Sequence, residues 1–279
     1  MAKFQYMSDL HLEVMPGLRL DASHVRAPYL VLAGDIGSPG SEEYFQLLVN
    51  CATLYRGVYV VLGNHEGYGF PSWETAVQTA GEVIEKVRSS TDNPNVHLLY
   101  RSAVDMMQEG GGAVRVLGCT LWSRVTDEQR ALVETMLMDY RKIGRFSIDD
   151  YLKLHTEDVA WLQSALEEAR RCEVPCLVVT HHAPLVHGTS SPCHDNSPME
   201  SAFSTDLASL LKDYADVAPA WIHGHTHHCH CSRIMFDEEG MVTVASNPRG
   251  FPHENEGVFR LDVDPITFSV VPSKRAQVV

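Results

Sequence analysis

Seven short apolar runs constrain what this chain can fold into. They are Phe4–Met7, Tyr29–Ala33, Val58–Leu62, Val96–Tyr100, Val114–Leu117, Cys176–Thr180 and Ala220–Ile222. Each has strand length, is apolar almost throughout, and stops at small or polar residues. A strand without polar alternation is one buried on both faces, which calls for helices on the sheet. Helical patterns lie between many of the runs. Ser41 can cap a helix over Glu42–Tyr55, with Glu43 in its first turn, and Ser72 can cap Glu74–Val87. Asp127 to about Lys142, Thr156–Arg171 and Phe203–Tyr214 read as further helices, the second with acids at its start and arginines at its end. After Ile222 the chain turns to strands: Ser232–Phe236, Met241–Ala245, Val258–Val263 and Ile266–Val271. The pattern predicts an α/β architecture, a layered sandwich of two mixed β-sheets flanked by helices. No linker or repeat interrupts it, so residues 1–279 read as one domain. The Gly110-Gly111-Gly112 run reads as a turn between strands; a phosphate-cradling role would need a following Gly-Lys-Ser/Thr. Residues 66–180 form the longest stretch without site-like motifs and are expected to shape substrate access.

The chemistry collects where the runs end. The first ends in Asp9-Leu10-His11 and the second in Gly34-Asp35. The third ends in Gly63-Asn64-His65-Glu66, a later one in His181-His182, and another in His223-Gly224-His225-Thr226-His227. Open α/β sheets bind ligands outside the carboxyl ends of their strands, so these groups should meet on one rim. One such Asp or His is an ordinary turn former, but five ends carrying Asp, Asn and His together point to a metal site. The donors are oxygen and imidazole nitrogen without thiolate, which suits Mn, Fe, Zn, Co or Ni rather than an all-oxygen Ca or Mg cage. They are too many for one four-coordinate ion. Two ions sharing a carboxylate would use them, and such a pair can hold both oxygens of an in-line displacement at phosphorus. Glycine before Asp35, Asn64 and His225 allows close backbone approach and unusual φ at crowded turns.

Charge narrows the partners. The 279 residues carry a net charge of −14, which argues against nucleic acid and an anionic membrane surface. A small phosphorylated substrate or a phosphoprotein is still admitted if cationic charge is concentrated at one point. Seven cysteines without paired C-x-x-C spacing read as reduced thiols. The N-terminus enters a strand directly, with no charged segment followed by an apolar one, so a cytoplasmic protein is expected.

The blocks Asp9-Leu10-His11, Gly34-Asp35, Gly63-Asn64-His65-Glu66, Thr180-His181-His182-Ala183-Pro184 and Gly224-His225-Thr226-His227 resemble, in order, those of the calcineurin-like metallophosphoesterase superfamily. The resemblance covers roughly residues 3–250. It implies a dinuclear centre in which Asp9, His11 and His227 bind one ion, Asn64, His181 and His225 bind the other, and Asp35 bridges both. A hydroxide held between the ions would attack a phosphomonoester or phosphodiester, and His65 would protonate the leaving alkoxide or stabilise transition-state charge. Glu66 would orient His65 or pack behind it. Ser246-Asn247-Pro248-Arg249-Gly250 resembles an N-P-R-G segment of some bacterial and fungal members, with Arg249 read as an internal tie rather than a phosphate contact. Gly118–Ser123 and Asp139-Tyr140 resemble a subgroup signature and are expected to shape the pocket wall.

The remaining histidines have plainer readings. His182 and His223 read as packing and hydrogen-bonded residues, His97 and His155 as structural, and His228, Cys229, His230 and Cys231 as the start of an exposed hairpin. His187 and His194 lie in loop 184–200, which should run near the site. A cyclic-nucleotide phosphodiesterase or a nuclease could use the same residues. A non-catalytic scaffold, for which the retromer subunit with this fold is the analogy, would be expected to have lost ligands that this chain retains.

Overall fold

Alternate residues along the central strands face two different apolar layers, which is why the runs are apolar throughout. In the computed structural model, which describes residues 2–108, 111–194, 196–236, 240–251, 265–270 and 276–278, two six-stranded sheets pack face to face. The first has the order β12-β11-β1-β2-β3-β4: β1 is Ala2–Met7, β2 Tyr29–Ala33, β3 Gly57–Val61, β4 Val96–Leu98, β11 Ile266–Val270 and β12 Ala276–Val278. The second has the order β5-β6-β7-β8-β10-β9: β5 is Ser102–Met107, β6 Ala113–Cys119, β7 Cys176–Thr180, β8 Ala220–His223, β9 His230–Phe236 and β10 Gly240–Ser246. Both sheets are mixed: the first is parallel from β1 to β4 and antiparallel through β11 and β12, and the second is parallel at its centre and antiparallel at both margins.

Phe4, Tyr6, Val31, Ala33, Tyr59 and Val61 meet Val116, Leu177, Val179, Ala220, Ile222 and Ala245 between the sheets. Their neighbours point outward. Leu30, Leu32, Val58 and Val60 receive Tyr44, Leu47, Leu48 and Cys51 of α1 (Glu42–Leu54) and Ile84 and Val87 of α2 (Trp73–Thr91). Leu117, Cys119, Val178 and Trp221 receive Leu162, Leu166 and Ala169 of α5 (Ile148–Arg171). Ser41 and Ser72 accept the first free N–H groups of α1 and α2, as their positions suggest, each cap worth about 1 kcal/mol.

Several boundaries differ from the sequence expectation. The pattern from Asp127 to Lys142 is two short helices, α3 (Arg130–Met136) and α4 (Asp139–Lys142). The chain is extended at Leu137 (ψ 132°), which buries Leu137 beside Trp73 and Trp122 and turns Asp139 inward. Helix α5 starts eight residues before Thr156, on a capping box between Ser147 and Asp150. Only α6 (Ala208–Asp213) of the Phe203–Tyr214 pattern is helical; Phe203 instead follows a 3-10 turn and packs on His225. Strand β5 gives little apolar signal because alternate residues are exposed. It forms a hairpin with β6, with Gly111 and Gly112 in the turn; Gly110 and the expected strand at 258–263 lie outside the described residues. No helix among the described residues is long and apolar enough to cross a membrane.

Candidate metal centre

The carboxyl ends of β1, β2, β3, β7 and β8 open onto one rim, and the expected residues converge there. Asp9, His11 and His227 bring ligand atoms within 4.8 Å of one another, and so do Asp35, His181 and His225. Asp35 stands between the two groups: its Oδ2 lies 3.4 Å from His181 Nε2 and 4.0 Å from His11 Nε2. Asn64 Oδ1 is 3.2 Å from His181 Nε2. His227 Nε2 is 3.4 Å from Asp9 Oδ1 and 3.1 Å from His11 Nε2.

The backbone is bent to make this possible. Asp9, His11, Asp35, His225 and His227 all hold positive φ, between 47° and 66°, a conformation that side chains other than glycine rarely adopt. Two glycines supply the close approach. A Cβ on Gly34 would lie 2.3 Å from His181 Nδ1, and one on Gly63 would lie 2.2 Å from Asp35 Oδ1. Gly34 also needs its φ of +87°.

Donor chemistry fits a cation. His181 Nδ1 donates to the Ala33 carbonyl at 2.9 Å, so a neutral His181 turns the Nε2 lone pair on Asn64 Oδ1 and Asp35 Oδ2. Three acceptors facing one another repel unless a proton or a metal ion joins them. His225 Nε2 is buried with no hydrogen-bond partner among the described residues, a costly state that a metal ion would relieve. With protons alone the balance is stark. Burial opposes charge on Asp35, yet His181 and His65 outweigh it and hold the carboxyl well below its usual range. Burial likewise opposes charge on His181, and Asp35 overcomes it, raising the imidazole to about 9. Burial and the charge of His181 push His225 down to about 3.

His65 sits at the edge of this cluster. Its Nε2 is 3.9 Å from Asp35 Oδ2, and its Nδ1 donates to Glu13 Oε1 at 2.9 Å. Burial opposes its charge, but Asp35 and Glu13 raise it to about 9. Burial also works against Glu13, whose hydrogen bonds from His11 and His65 nevertheless lower it to about 2. Glu66 does not reach His65. Its carboxylate accepts the backbone N–H groups of Asp35, Ile36 and Gly63 at 2.7–3.0 Å, tying the β2 and β3 ends together. Burial and the nearby Asp35 raise it to about 8.

Other residues take supporting places. His182 is buried, stacks on His225 and meets Ser123 Oγ at 2.8 Å. His223 is buried between the Gly224 carbonyl and His230, and His230 opens the β9–β10 hairpin. His155 Nδ1 donates to the Leu121 carbonyl, and His97 packs on Tyr59. Thr226 Oγ1 donates to the Thr189 carbonyl, which holds loop 184–200 against the His225–His227 turn. The Arg249 guanidinium donates to the Leu10 and Met15 carbonyls, so it braces the segment that carries Asp9 and His11. Thr120 of the Gly118–Ser123 stretch receives the His181 and His182 N–H groups and donates to the Leu62 carbonyl, joining two of the strand ends.

Sequence reasoning missed three neighbours of the site, Glu13, Phe251 and Tyr68, and placed a fourth, Asp139, only in the pocket wall. Glu13 continues the spacing of Asp9 and His11, with Leu10 and Leu12 buried between them, and that alternation was a usable signal. Phe251 stacks on His11 at 4.4 Å, directly after the N-P-R-G segment. The Tyr68 ring packs at a tilt on His65, with the ring centres 4.2 Å apart. Asp139 accepts hydrogen bonds from Asn64 Nδ2 at 2.8 Å and Tyr68 OH at 2.7 Å.

The chain is similar to known proteins in sequence and fold. The family described as calcineurin-like phosphoesterase matches residues 6–229. An uncharacterised protein of Acanthamoeba polyphaga mimivirus, L509, is 25% identical over 276 residues, covering 90% of this chain and 91% of its own. The phosphopantetheinyl hydrolase PptH of Mycobacterium tuberculosis has a similar fold, with a TM-score of 0.67 at 17% identity over 100% of this chain and 95% of that one. A dimetal phosphatase of Danio rerio aligns with a TM-score of 0.51 at 14% identity, over 97% and 93% of the two chains.

Proposed function

This chain belongs to the calcineurin-like phosphoesterases, and from that premise we propose that Asp9, His11 and His227 hold one metal ion, Asn64, His181 and His225 a second, and Asp35 both. The protein is a metal-dependent hydrolase of phosphoric esters. The observation that carries the assignment is the placement of Asp35 between two groups of convergent acceptors, 3.4 Å from His181 and 4.0 Å from His11. Oxygen and imidazole donors suit Mn, Fe or Zn. Two such ions, when bound, supply Lewis acidity toward a phosphoryl oxygen and lower the pKa of water toward neutrality.

The chain's own residues do the rest. His65 faces the shared carboxylate from outside; its Nδ1–H is committed to Glu13, and the carboxylates of Asp35 and Glu13, which raise the ring to about 9, keep a second proton at Nε2. That proton is available to a leaving alkoxide. Phe251 and Tyr68 pack on His11 and His65 and hold both rings in place. Hydrolysis is direct, without a covalent phosphoenzyme, and the substrate is a small phosphoester or a phosphoprotein. The net charge of −14 disfavours nucleic acid.

The test removes the metals. The protein is dialysed against a chelator and its metal content measured. It is then assayed with Mn2+, Fe2+ or Zn2+ on para-nitrophenyl phosphate and bis-para-nitrophenyl phosphate. Activity should vanish with the metal and return at about two ions per chain. If both esters stay intact with every metal, the reading is wrong.

A further inference from the structure

Asp139 lies 75 residues from Asn64 in sequence, yet its carboxylate, which can only accept, takes the shorter of the two hydrogen bonds from Asn64 Nδ2, 2.8 Å against 3.3 Å to the Tyr68 hydroxyl. The amide has one accepting and one donating end of nearly equal size. Asp139 Oδ1 takes the donating end at 2.8 Å, which leaves Oδ1 of Asn64 turned toward His181 Nε2. In the reversed orientation Asn64 Oδ1 would face a carboxylate oxygen, and its NH2 would point where a cation is expected. Both contacts would be repulsive.

The same Asp139 oxygen accepts the Tyr68 hydroxyl at 2.7 Å, and the Tyr68 ring packs at a tilt on His65, 4.2 Å between ring centres. One fully buried carboxylate therefore touches the neighbours of both halves of the chemistry. Its own place is secured by backbone bonds that splice α4 to the loop after Asn64. Gly69 N–H donates to the Lys142 carbonyl at 2.8 Å, and Gly144 N–H donates to the Phe70 carbonyl at 2.8 Å. Gly144 permits this, since a Cβ there would sit 2.7 Å from the Pro71 carbonyl oxygen. The bend at Leu137 that divides α3 from α4 sets the direction from which Asp139 arrives.

We propose that Asp139 is a positioning residue that orients the Asn64 amide as an oxygen donor to one of the two metal ions and, through Tyr68, holds His65 in place. The inference rests on the dinuclear reading above, and its role is separable from simple packing. A packing residue would change stability without distinguishing the two ions. An orienting residue changes the affinity of the ion that Asn64 serves and spares the other.

The experiment is a Mn2+ titration of the chelator-stripped protein, followed by the EPR signal of the free ion, on the wild type, Asp139→Ala and Asp139→Asn. Thermal unfolding is monitored alongside. In Asp139→Ala one of the two ions should bind about 10–100-fold more weakly, as expected when a partner of a metal ligand is lost, while the other changes by less than about threefold. Asp139→Asn can still accept through its amide oxygen and should recover most of the lost affinity. Two unchanged affinities in a folded Asp139→Ala, or equal weakening of both ions, would overturn the proposal. A wild type that binds no Mn2+ would instead defeat the metal reading itself. Should Asp139→Ala not fold, the native protein still decides. The Asn64 side-chain amide protons, identified by their loss in Asn64→Ser, should exchange with solvent far more slowly than those of the exposed Asn95, and exchange at the exposed rate would refute the assignment.

Discussion

Glu13 Oε1 lies 2.9 Å from Nδ1 of His65. The same oxygen is 3.0 Å from His11 Nδ1, so one carboxylate sets the tautomer of a candidate metal ligand and of the candidate acid. Glu13→Gln keeps an acceptor but removes the charge that helps His65 retain its proton. The expected result is unchanged metal content with a leaving-group-dependent loss. Turnover of an alkyl phosphate should fall about 10-fold or more, while that of para-nitrophenyl phosphate, whose leaving group needs little protonation, should fall much less. A series of esters with graded leaving groups measures this, and an equal loss across the series would count against the acid role.

Asp35 and His65 are neighbours with different tasks, and their alanine variants should separate them. Each should lower turnover by about a hundredfold or more. Asp35→Ala removes the carboxylate shared by both groups of acceptors and should lower metal content as well. His65→Ala should leave both ions in place. Elemental analysis beside activity checks the pair, and full metal content in Asp35→Ala would refute the shared role.

The strand-end residues were legible because parallel strands deliver their carboxyl ends to one rim. Asp9, Asp35, Asn64, His181 and His225 needed only their place in the pattern to be grouped. The sandwich was legible for a related reason: residues such as Leu30 and Val31, or Val178 and Val179, are apolar in succession because each faces a different core layer. Residues that join the site through loops were harder to read. Asp139 reaches Asn64 only because the chain bends at Leu137, where no glycine or proline marks a break. Glu66 sits beside His65 in sequence yet turns to the backbone of β2, since it can satisfy three buried N–H groups there and none at the imidazole.

Gly63 has no room for a side chain. A methyl group there would meet Asp35 Oδ1 at 2.2 Å, the Asp35 backbone nitrogen at 2.7 Å and His181 Cε1 at 2.7 Å. Two of these belong to candidate ligands and one to backbone, so no flexible side-chain end can yield. Gly63→Ala should spread Asp35 and His181 apart and lower metal affinity more than about tenfold, with a clear drop in thermal midpoint. By contrast, Gly81 on α2 has open space around it, and Gly81→Ala should leave metal binding intact and hold or raise the midpoint. Metal titration and thermal unfolding of the two variants side by side make the comparison. A Gly63→Ala protein that binds metal normally would show that the turn can relax.

Asp158 gives the fold a pH dependence independent of the metal centre. It is buried on α5, with one oxygen accepting from Arg101 at 3.0 Å and the other without a hydrogen-bond partner among the described residues. Burial outweighs the arginine and raises the carboxyl to about 7 from its ordinary value of 3.8. The native state therefore binds this proton more tightly than the unfolded chain does. The stabilisation is complete below about pH 4 and is lost as pH rises toward 7. Asp158→Asn stays neutral throughout and should lack this component. With chelator present, the midpoint of the wild type relative to Asp158→Asn should fall steadily between pH 4 and pH 7 and level off above it. A difference that stays constant, or that grows in favour of the wild type as pH rises, would mean that Arg101 dominates and that the carboxylate is ionised in the native state across the whole range.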